Sequence, residues 1–380
     1  MLLATMLGKA CGGPDIAAPA ASNPGDVVWS AEASDLNYTP VADSSRVYFG
    51  SQESQVTAVD VRTGKTLWKQ TIAVPGGGLL GFSFGSVLVL AGDVLVVPNG
   101  YVYGFDRASG ALRWTFKGTF GTAPGWDFLS TDGTTIYAGG PPAGRLYAID
   151  AATGLARWDV SVATDTVQTT AFNPVVYRDT VYVGVWRQTN LISGGVAAVD
   201  ARTGRKLWYT ELPASAAHRY GGTKGRAAFA GRLVVVAVGD GQIAGLDRGT
   251  GHVEWIAPQP VELVSGQSDD REVAVVGGVV VATSTTVAIY GYDAVTGAVL
   301  WKRVLREASF TGLSTDDSSA YVALAGGALV ALDARTGSTR WTWGHLVPGP
   351  DPSDKALGRP GVDRDFVYIP GVKKGYKVRK

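Results

Sequence analysis

Short runs in which apolar and polar residues alternate follow one another through most of the chain. Residues 46–50 and 55–59 form one pair of such runs, and residues 135–139 and 145–149 form another. Runs rich in β-branched and aromatic residues and bounded by Gly, Asp or Asn are typical of strands joined by hairpins. Because no segment keeps a helical period, the sequence predicts a fold that is almost entirely β.

A phrase of eleven residues follows the second run of each pair. It is first complete at 58–68, and its fixed positions read small-x-Asp-x-x-Thr/Ser-Gly-x-x-x-Trp. Seven copies, separated by 40 to 50 residues, end at Trp68, Trp114, Trp158, Trp208, Trp255, Trp301 and Trp341. A regular period of this length predicts a propeller or a solenoid.

Each fixed position of the phrase has a structural role. The aspartate can accept hydrogen bonds from backbone N–H groups two or three residues further on, and the glycine supplies the positive φ that closes a short loop. The small residue leaves room for a large ring, so we expect the tryptophan to pack across it and to join neighbouring sheets. A buried indole covers about 150–250 Å² and needs a partner for its N–H group.

Seven phrases suggest seven blades, but the two ends of the chain together supply an eighth. Trp29 lies 39 residues before Trp68, in a strand-like stretch that no turn precedes. Residues 365–371 and 375–379 match the second and third strands of a blade, and the chain then ends. The sequence therefore predicts a single domain at 26–380. This domain is an all-β, eight-bladed β-propeller of four-stranded blades, closed by an N-terminal strand that completes the C-terminal blade.

Residues 1–25 predict a signal-like segment followed by a flexible linker. The apolar run 1–7 precedes a short stretch ending in Cys11, which resembles the end of a bacterial lipoprotein signal, and a Pro/Ala/Gly/Ser-rich linker follows. We expect Cys11 to be the lipidation site and the protein to be extracytoplasmic, either lipid-anchored or secreted. The alternative is a cytoplasmic chain with an irregular start, because Gly8 and Lys9 depart from the signal pattern.

The composition and the net charge limit the kinds of molecule that the protein is expected to bind. The chain has 34 basic and 33 acidic residues, a net charge of +1, and one cysteine. This balance argues against a nucleic-acid-binding protein, and a single cysteine excludes an internal disulfide. No apolar stretch has the length of a transmembrane helix. The basic residues at 373–380 are interpreted as part of a solvated terminal strand, with contact to an anionic membrane surface as the alternative.

The innermost strands of a propeller, and the segments that lead into them, line the central axis, so unusual residues there are candidates for binding. The loop 213–226 is the richest segment, with a solvated surface loop as the alternative. The candidates for contact with a ligand or partner are Trp126, Asp127, Gln168, His218, Arg219, Tyr220, Lys224 and Asp269. Further axial residues are Asn37, Tyr38, Phe82, Phe84, Gln267, Lys355 and Arg359. In an enzyme, the acid–base residues would be drawn from Asp127, His218, Tyr220 and Lys224.

Other motif matches carry little weight. Residues 76–81 match a dinucleotide-binding fingerprint and 81–85 match the nucleophile elbow around Ser83, but no strand–helix unit surrounds either match. The three histidines lie far apart and the cysteine is near the end of the chain, so we expect no metal site. The adjacent aspartates at 269–270 and 316–317 are interpreted as polar turns rather than calcium ligands.

The phrases resemble the tryptophan-docking motifs of the quinoprotein-like β-propeller superfamily over residues 27–380. The resemblance implies four-stranded blades around a central channel. Dehydrogenases of this superfamily bind pyrroloquinoline quinone and calcium on the axis, and many carry an adjacent cysteine pair. This chain has neither such a pair nor a haem motif, so we expect no cofactor. In size, blade count and tethered start it is more similar to the propeller lipoproteins of the outer-membrane β-barrel assembly machinery, which are scaffolds.

Three kinds of function remain. The first is an extracytoplasmic, non-catalytic binding or scaffold propeller, expected to be a monomer, that presents a rim or an axial pocket to a protein or ligand. The second is an enzyme that uses the axial pocket without a quinone. The third is a sensor domain or a quinone-dependent dehydrogenase. A closely spaced acid and base in a closed pocket would favour an enzyme, and an open apolar rim would favour a scaffold.

Overall fold

The structure is a computed structural model. It describes residues 23–33, 36, 38–51, 53–72, 87–118, 129–140, 144–163, 169–188, 192–212, 222–223, 225–238, 241–257, 272–283, 287–307, 312–324, 326–344, 355–356 and 358–380. Within these residues, 32 strands form eight four-stranded antiparallel sheets, and there is no helix. No membrane-spanning helix is therefore found in this part of the chain. The prediction of an all-β, eight-bladed propeller is confirmed.

Each of blades 1 to 7 takes its four strands in sequence order, from the axis outwards. The innermost strands are β2 (Val41–Ala42), β6 (Val89–Ala91), β10 (Leu129–Thr131), β14 (Thr169–Tyr177), β18 (Ala228–Ala230), β22 (Val273–Val276), β26 (Leu313–Thr315) and β30 (Gly361–Val362). The second strands are β3 (Arg46–Gly50), β7 (Val94–Asn99), β11 (Thr135–Gly140), β15 (Thr180–Gln188), β19 (Leu233–Ala237), β23 (Val279–Ala282), β27 (Ser319–Ala323) and β31 (Phe366–Pro370).

The third and outer strands of each blade are joined by the turn of the phrase. The third strands are β4 (Gln55–Asp60), β8 (Tyr101–Asp106), β12 (Arg145–Asp150), β16 (Ile192–Asp200), β20 (Ile243–Asp247), β24 (Ala288–Asp293), β28 (Leu329–Asp333) and β32 (Lys374–Arg379). The outer strands are β5 (Thr66–Thr71), β9 (Leu112–Phe116), β13 (Ala156–Ser161), β17 (Lys206–Glu211), β21 (Val253–Ala257), β25 (Val299–Val304), β29 (Thr339–Trp343) and β1 (Val27–Glu32).

The hydrophobic core lies between neighbouring sheets. Blades 5 and 6 pack through a cluster that contains Val235 and Tyr292, and blades 6 and 7 pack through one that contains Val281 and Val322. All four side chains are buried. Innermost strands of neighbouring blades also contact each other, as β18 does with β22 and β22 with β26. The innermost strands therefore surround the axis, and the segments that lead into them lie around it.

The tryptophan of each phrase packs on the glycine of the phrase in the next blade. A Cβ atom on Gly154 would lie 2.6 Å from the Trp114 ring, so only glycine fits below the indole. Gly154 also has a φ of 72°, a region that glycine adopts without strain. The remaining pairs are Trp29–Gly64, Trp68–Gly110, Trp158–Gly204, Trp208–Gly251, Trp255–Gly297, Trp301–Gly337 and Trp341–Gly25.

The indole N–H groups also bond across the blade junctions. Trp114 Nε1 donates to the carbonyl oxygen of Ala151 over 3.0 Å. The equivalent bonds join Trp29 to Val61, Trp68 to Arg107, Trp158 to Ala201, Trp208 to Arg248 and Trp301 to Ala334, over 2.9 to 3.2 Å. Among the described residues, Trp255 Nε1 has no hydrogen-bond partner. In blades 1 to 7 each indole thus covers the small residue opposite it in its own blade and packs on the turn of the next blade.

Blade 8 is built from both ends of the chain, in the order β1-β32-β31-β30. β1 pairs antiparallel with β32, so the predicted closure by the strand near Trp29 is confirmed. The expectation that no turn element precedes this strand is wrong. Gly25 has a φ of 89° and lies under Trp341, the place that the turn glycine takes in every other blade. Arg379 takes the backbone position of the turn aspartate, so this turn lacks the carboxylate that accepts backbone hydrogen bonds in the other blades.

A second repeated motif pairs an aspartate with a tyrosine five residues later. Asp316 Oδ1 accepts hydrogen bonds from the backbone N–H groups of Ser318 and Ser319, and its Oδ2 accepts one from Tyr321 Oη over 2.7 Å. The same arrangement occurs at Asp43–Tyr48, Asp132–Tyr137 and Asp363–Tyr368. In each of these blades the pair ties the turn between the first two strands to the second strand. The spacing Asp-x-x-x-x-Tyr lies outside the eleven-residue phrase and was not predicted from it.

Candidate functional site

All of the residues proposed from the sequence as ligand or partner contacts lie outside the described residues. They are Trp126, Asp127, Gln168, His218, Arg219, Tyr220, Lys224 and Asp269, together with the lipidation candidate Cys11. Their roles stay predictions. The same holds for the axial residues Asn37, Phe82, Phe84 and Gln267. Tyr38, Lys355 and Arg359 are described, and they differ in their surroundings.

Tyr38 is part of the core. Its side chain is buried, and its hydroxyl group donates to the carbonyl oxygen of Pro98 over 2.8 Å. Burial in this cluster leaves no surface on Tyr38 for a ligand. Lys355 is exposed and precedes β30 without a described side-chain contact to another charged group. Of these three residues, Arg359 is the one whose side chain pairs with another charged group.

Three charged side chains meet where the chain enters the innermost strands of blades 5, 6 and 8. Arg226 lies two residues before β18, Glu272 directly before β22, and Arg359 two residues before β30. Arg359 forms an ion pair with the Glu272 carboxylate. Oε2 of Glu272 also accepts a hydrogen bond from the backbone N–H group of Leu313, at the start of blade 7, over 2.7 Å. We call Arg226, Glu272 and Arg359 the axial charge cluster.

The axial charge cluster carries a net positive charge in a poorly solvated place. The side chains of Arg359 and Glu272 are 11% and 22% exposed. Burial lowers the pKa of Arg226 to about 10, and the nearby Arg359 charge adds to this effect while Glu272 opposes it. Arg226 stays protonated at neutral pH, so the cluster holds two guanidinium groups and one carboxylate. A carboxylate or phosphate group would find complementary charge here.

Gly312 has no side chain, and the ion pair between Arg359 and Glu272 fills the space beside its backbone. A Cβ atom at this position would lie 2.3 Å from Arg359 Nε and 2.8 Å from Glu272 Oε2. Any larger residue would therefore displace the pair. Arg226 lies in the loop 213–226 and Arg359 was named as an axial residue, so both were predicted from the sequence, but Glu272 was not. The signal that identifies it is its position directly before an innermost strand.

A groove of about 400 Å³ lies between blades 8 and 1, where it is lined by Asp43, Asp363, Asp365, Phe366 and Lys377 among others. Two of these carboxylates already serve the fold. Asp43 and Asp363 each accept two backbone hydrogen bonds and one tyrosine hydroxyl. The acidic groups of this groove therefore hold turns together.

The axial residues can be tested against the quinone and calcium that dehydrogenases of this fold bind. Calcium requires six to eight oxygen ligands, usually with several carboxylates. The described part of the axis supplies one carboxylate, Glu272, and both Arg359 and a backbone N–H group engage it. No grouping of three metal-ligating side chains is found in the described residues. The described residues therefore do not fit a calcium-bound quinone, although their charge suits an anion.

Comparison with known proteins relates the chain to one family and to several distant propellers. The family model for outer membrane protein assembly factor BamB matches residues 16–192, 98–262 and 192–375. The factor of this name from Moranella endobia is 22% identical over 347 residues, which are 90% of this chain and 74% of that protein. A quinone-dependent alcohol dehydrogenase subunit of Gluconobacter oxydans is 25% identical over 192 residues, 44% of this chain and 24% of that protein.

Solved structures share the fold at low sequence identity. BamB from Moraxella catarrhalis superimposes with a TM-score of 0.62 and 20% identity, over 78% of this chain and 84% of that one. The quinohemoprotein alcohol dehydrogenase of Comamonas testosteroni superimposes with a TM-score of 0.71 and 15% identity, over 93% of this chain and 76% of that one. Scaffold-type and catalytic propellers therefore have the same architecture, and the fold alone does not separate their functions.

Proposed function

Because the chain belongs to the family of outer membrane protein assembly factor BamB, we propose that it is a non-catalytic scaffold propeller that works outside the cytoplasm. The observation that carries this proposal is the family match, whose three parts together extend from residue 16 to residue 375. The propeller presents its rim or its axis to a partner protein. The blades supply rigidity, since the tryptophan and the glycine of the phrases dock one blade to the next and the aspartate holds the turn that carries the glycine.

The axial charge cluster supports binding more than catalysis. Arg226 and Arg359 stay charged at neutral pH and are poor proton donors or acceptors. The Glu272 carboxylate is paired with one of them, so it is not available as a general base. These three side chains can attract and orient an anionic group, for example an acidic side chain of a partner, but they supply no nucleophile.

The amino-terminal segment supports a location outside the cytoplasm. We propose that Cys11 receives the lipid and that the residues up to 25 form a linker to the propeller. In cells that express the full chain, an alkyne-bearing fatty acid should label the wild-type protein and not the Cys11→Ser variant. The labelled protein should fractionate with membranes. An unlabelled full chain in the cytosolic fraction would contradict the proposed location.

The scaffold function can be tested by cross-linking the full chain in the membrane fraction and identifying its partners by mass spectrometry. We expect reproducible protein partners that are absent with an unrelated propeller of similar size. The double variant Arg226→Gln, Arg359→Gln separates two modes of binding. Loss of the partners assigns binding to the axis, and their retention assigns it to the rim. A chain that is recovered alone in repeated experiments argues against a scaffold.

A quinone-dependent dehydrogenase is the second candidate, because a subunit of this kind matches about half of the chain. Its test is reconstitution of the purified full chain with pyrroloquinoline quinone and calcium, followed by tryptophan fluorescence and by a dye-reduction assay with alcohols. Saturable quenching together with dye reduction would establish this function. If neither is observed at millimolar cofactor, the second candidate is excluded.

A further inference from the structure

One outer strand exposes more apolar surface than the others. In β25 of blade 6, Val299, Leu300 and Val304 are 52%, 52% and 59% exposed. Val287 and Val295, which lie at the two ends of the neighbouring strand β24, are exposed as well. Single exposed apolar side chains are normal on a protein surface. Five within one hairpin and its ends form a patch of the kind that marks an interaction site.

Blades 3 and 7 cover the corresponding position with an ion pair. The residue before the docking tryptophan is Arg157 in blade 3 and Arg340 in blade 7. These arginines pair with the turn aspartates Asp150 and Asp333 over 2.7 and 2.6 Å. In blade 6 the residue at this position is Leu300, so the strand presents an apolar side chain where those blades present paired charges.

β25 is also an edge strand. It is hydrogen-bonded to β24 on one side, and it ends the sheet order β22-β23-β24-β25. The other edge carries backbone N–H and C=O groups that can pair with a further strand. Proteins commonly recognise extended peptides in this way, with affinity from the backbone bonds and specificity from side-chain pockets.

A groove of about 260 Å³ runs beside β25 between blades 6 and 7. Its apolar lining includes Val304, Leu305, Leu324 and Val330, and it is bordered by arginine side chains. The volume suits one or two aliphatic side chains. A strand added at the edge of β25 would therefore have a pocket for the apolar residues that it carries.

The charges around β25 are positive. The sequence of the strand is Val-Leu-Trp-Lys-Arg-Val, with no acidic residue. Lys302, Arg303 and Arg306 are exposed, and one nitrogen of Arg303 donates to Thr339 Oγ1 over 3.1 Å. Glu307 is half-buried and accepts a hydrogen bond from the backbone N–H group of Gly326. The surface thus combines apolar side chains with cations.

This charge pattern disfavours a second copy of the chain as the occupant. Two β25 strands paired antiparallel would bring Lys302 and Arg303 of both copies close together, with no acidic residue from either strand between them. Like charges directly opposite each other destabilise a strand pair. An acidic partner would gain from the same cations.

We propose that β25 is the docking edge for an extended segment of a partner protein in which acidic and apolar side chains alternate. The segment adds to blade 6 as an additional strand. Because side chains alternate between the two faces along a strand, its carboxylates lie on the face that carries Lys302, and its apolar side chains lie on the face that carries Arg303 and the groove next to Leu324. The inference rests on the proposed scaffold function, for which it names a surface and the chemistry of the partner.

The experiment uses the full chain and an end-capped, fluorescein-labelled peptide of sequence Glu-Val-Glu-Leu-Glu-Val. We expect saturable binding by fluorescence anisotropy, and about fivefold weaker binding to the variant Lys302→Glu. The same peptide with alternate backbone nitrogens methylated should not bind, because it cannot form the strand ladder. Circular dichroism of each variant verifies that the propeller is folded.

Blade 1 offers a matched control. In β5, Leu67, Trp68 and Lys69 follow in the same order as Leu300 and its two successors in β25. The variant Lys69→Glu should leave peptide binding unchanged. The inference is overturned if the peptide fails to bind at millimolar concentration, if methylation has no effect, or if Lys69→Glu weakens binding as much as Lys302→Glu does. Membrane fractionation and cross-linking of the wild-type chain test the proposed scaffold function and do not depend on the peptide assay. A negative peptide result with partners still recovered overturns the docking edge alone.

Discussion

Blades 3 and 8 have the same four-stranded sheet, but they are built in different ways. Blade 3 is continuous in sequence, and its turn is complete. Asp150 accepts hydrogen bonds from the backbone N–H groups of Ala152 and Thr153 and from the Thr153 hydroxyl group, and Gly154 supports Trp114. In blade 8 no covalent turn joins the third and outer strands. These strands, β32 and β1, are held together by hydrogen-bonded pairing.

Hydrogen bonds hold the open turn of blade 8. The backbone N–H group of Gly25 donates to the carbonyl oxygen of Arg379 over 2.9 Å, and that of Arg379 donates to Asp26 over 3.0 Å. Lys377 stands opposite Trp29, where seven other blades have alanine or glycine opposite the tryptophan. Its amine donates to Val61 over 2.9 Å and lies 3.7 Å from the centre of the Phe366 ring. Blade 8 is therefore closed by the hydrogen-bonded pairing of β1 with β32 and by the packing of tryptophans on turn glycines. The buried amine of Lys377 adds a hydrogen bond to blade 1 at this junction.

Of the changes considered, deletion of residues 23–32 should lower the free energy of unfolding the most. The deletion removes β1, uncovers the edge of β32 and leaves Trp341 without Gly25. We expect a loss of more than about 5 kcal/mol in the free energy of unfolding, since an indole, a strand ladder and ring closure are lost together. Chemical denaturation followed by circular dichroism measures it. Deletion of residues 1–22 is the control and should melt like the full chain. Equal melting of both deletions would show that blade 8 does not need β1.

Replacement of a docking tryptophan should have the next largest effect. Trp158→Ala, at a continuous junction, is expected to cost about 3–5 kcal/mol. Trp29→Ala should cost at least as much, because it also uncovers Lys377. The measurement is urea denaturation followed by circular dichroism at 222 nm or by intrinsic fluorescence of the remaining tryptophans. A clearly smaller cost for Trp29→Ala would mean that the closing junction is looser than a continuous one.

Substitution of the buried cation should have a moderate effect. Lys377→Met keeps the length of the side chain but removes the hydrogen bond to Val61 and the contact of the amine with Phe366. We expect a loss of about 1–2 kcal/mol. Lys69→Met on the exposed strand β5 serves as the control and should be near neutral. Because burial lowers the pKa of Lys377, a gain in stability on substitution would show instead that desolvation of its charge outweighs its contacts.

The aspartate–tyrosine pairs predict a smaller, pH-dependent effect. Burial opposes the charge of Asp316, but hydrogen bonds from Ser318, Lys380, Tyr321 and Ser319 outweigh it and hold the pKa of this carboxyl below its usual range. The stability that it contributes is present above the unfolded pKa of about 3.9 and is lost as the pH falls towards the lower folded value. Tyr321→Phe should cost about 1 kcal/mol at pH 7 and make the acid limb of the stability curve shallower. An unchanged acid limb would mean that the tyrosine does not contribute to this shift.

The fold was predictable because its information is local and repeated. Each phrase contains the small residue, the aspartate, the glycine and the tryptophan of one hairpin, and seven such hairpins together with the strand around Trp29 determine the ring. Gly25 was missed because the first half of its turn lies at the other end of the chain. Lys377 could not be predicted either, since its role depends on a strand pairing between residues that are distant in sequence.

The axial charge cluster was predictable only in part. Arg226, Glu272 and Arg359 come from three blades and share no motif, so their proximity depends on the order of blades around the axis. The sequence identified the entry segments of the innermost strands, which contain both arginines. The docking edge on β25 has a different origin. It is visible only when the exposure of the eight outer strands is compared, because Leu300 is one of several apolar residues that precede a tryptophan.

The pairing of the chain ends in blade 8 has a topological consequence. The backbone atoms of Gly25 and Arg379 are already within hydrogen-bond distance, so a short linker with the turn sequence of the other phrases would join the ends into a covalent circle. Such a circle could be opened again at any of the seven complete turns, because each turn sits between the same third and outer strands. The junction between β32 and β1 thus corresponds to one of eight equivalent places at which the ring of blades can be open.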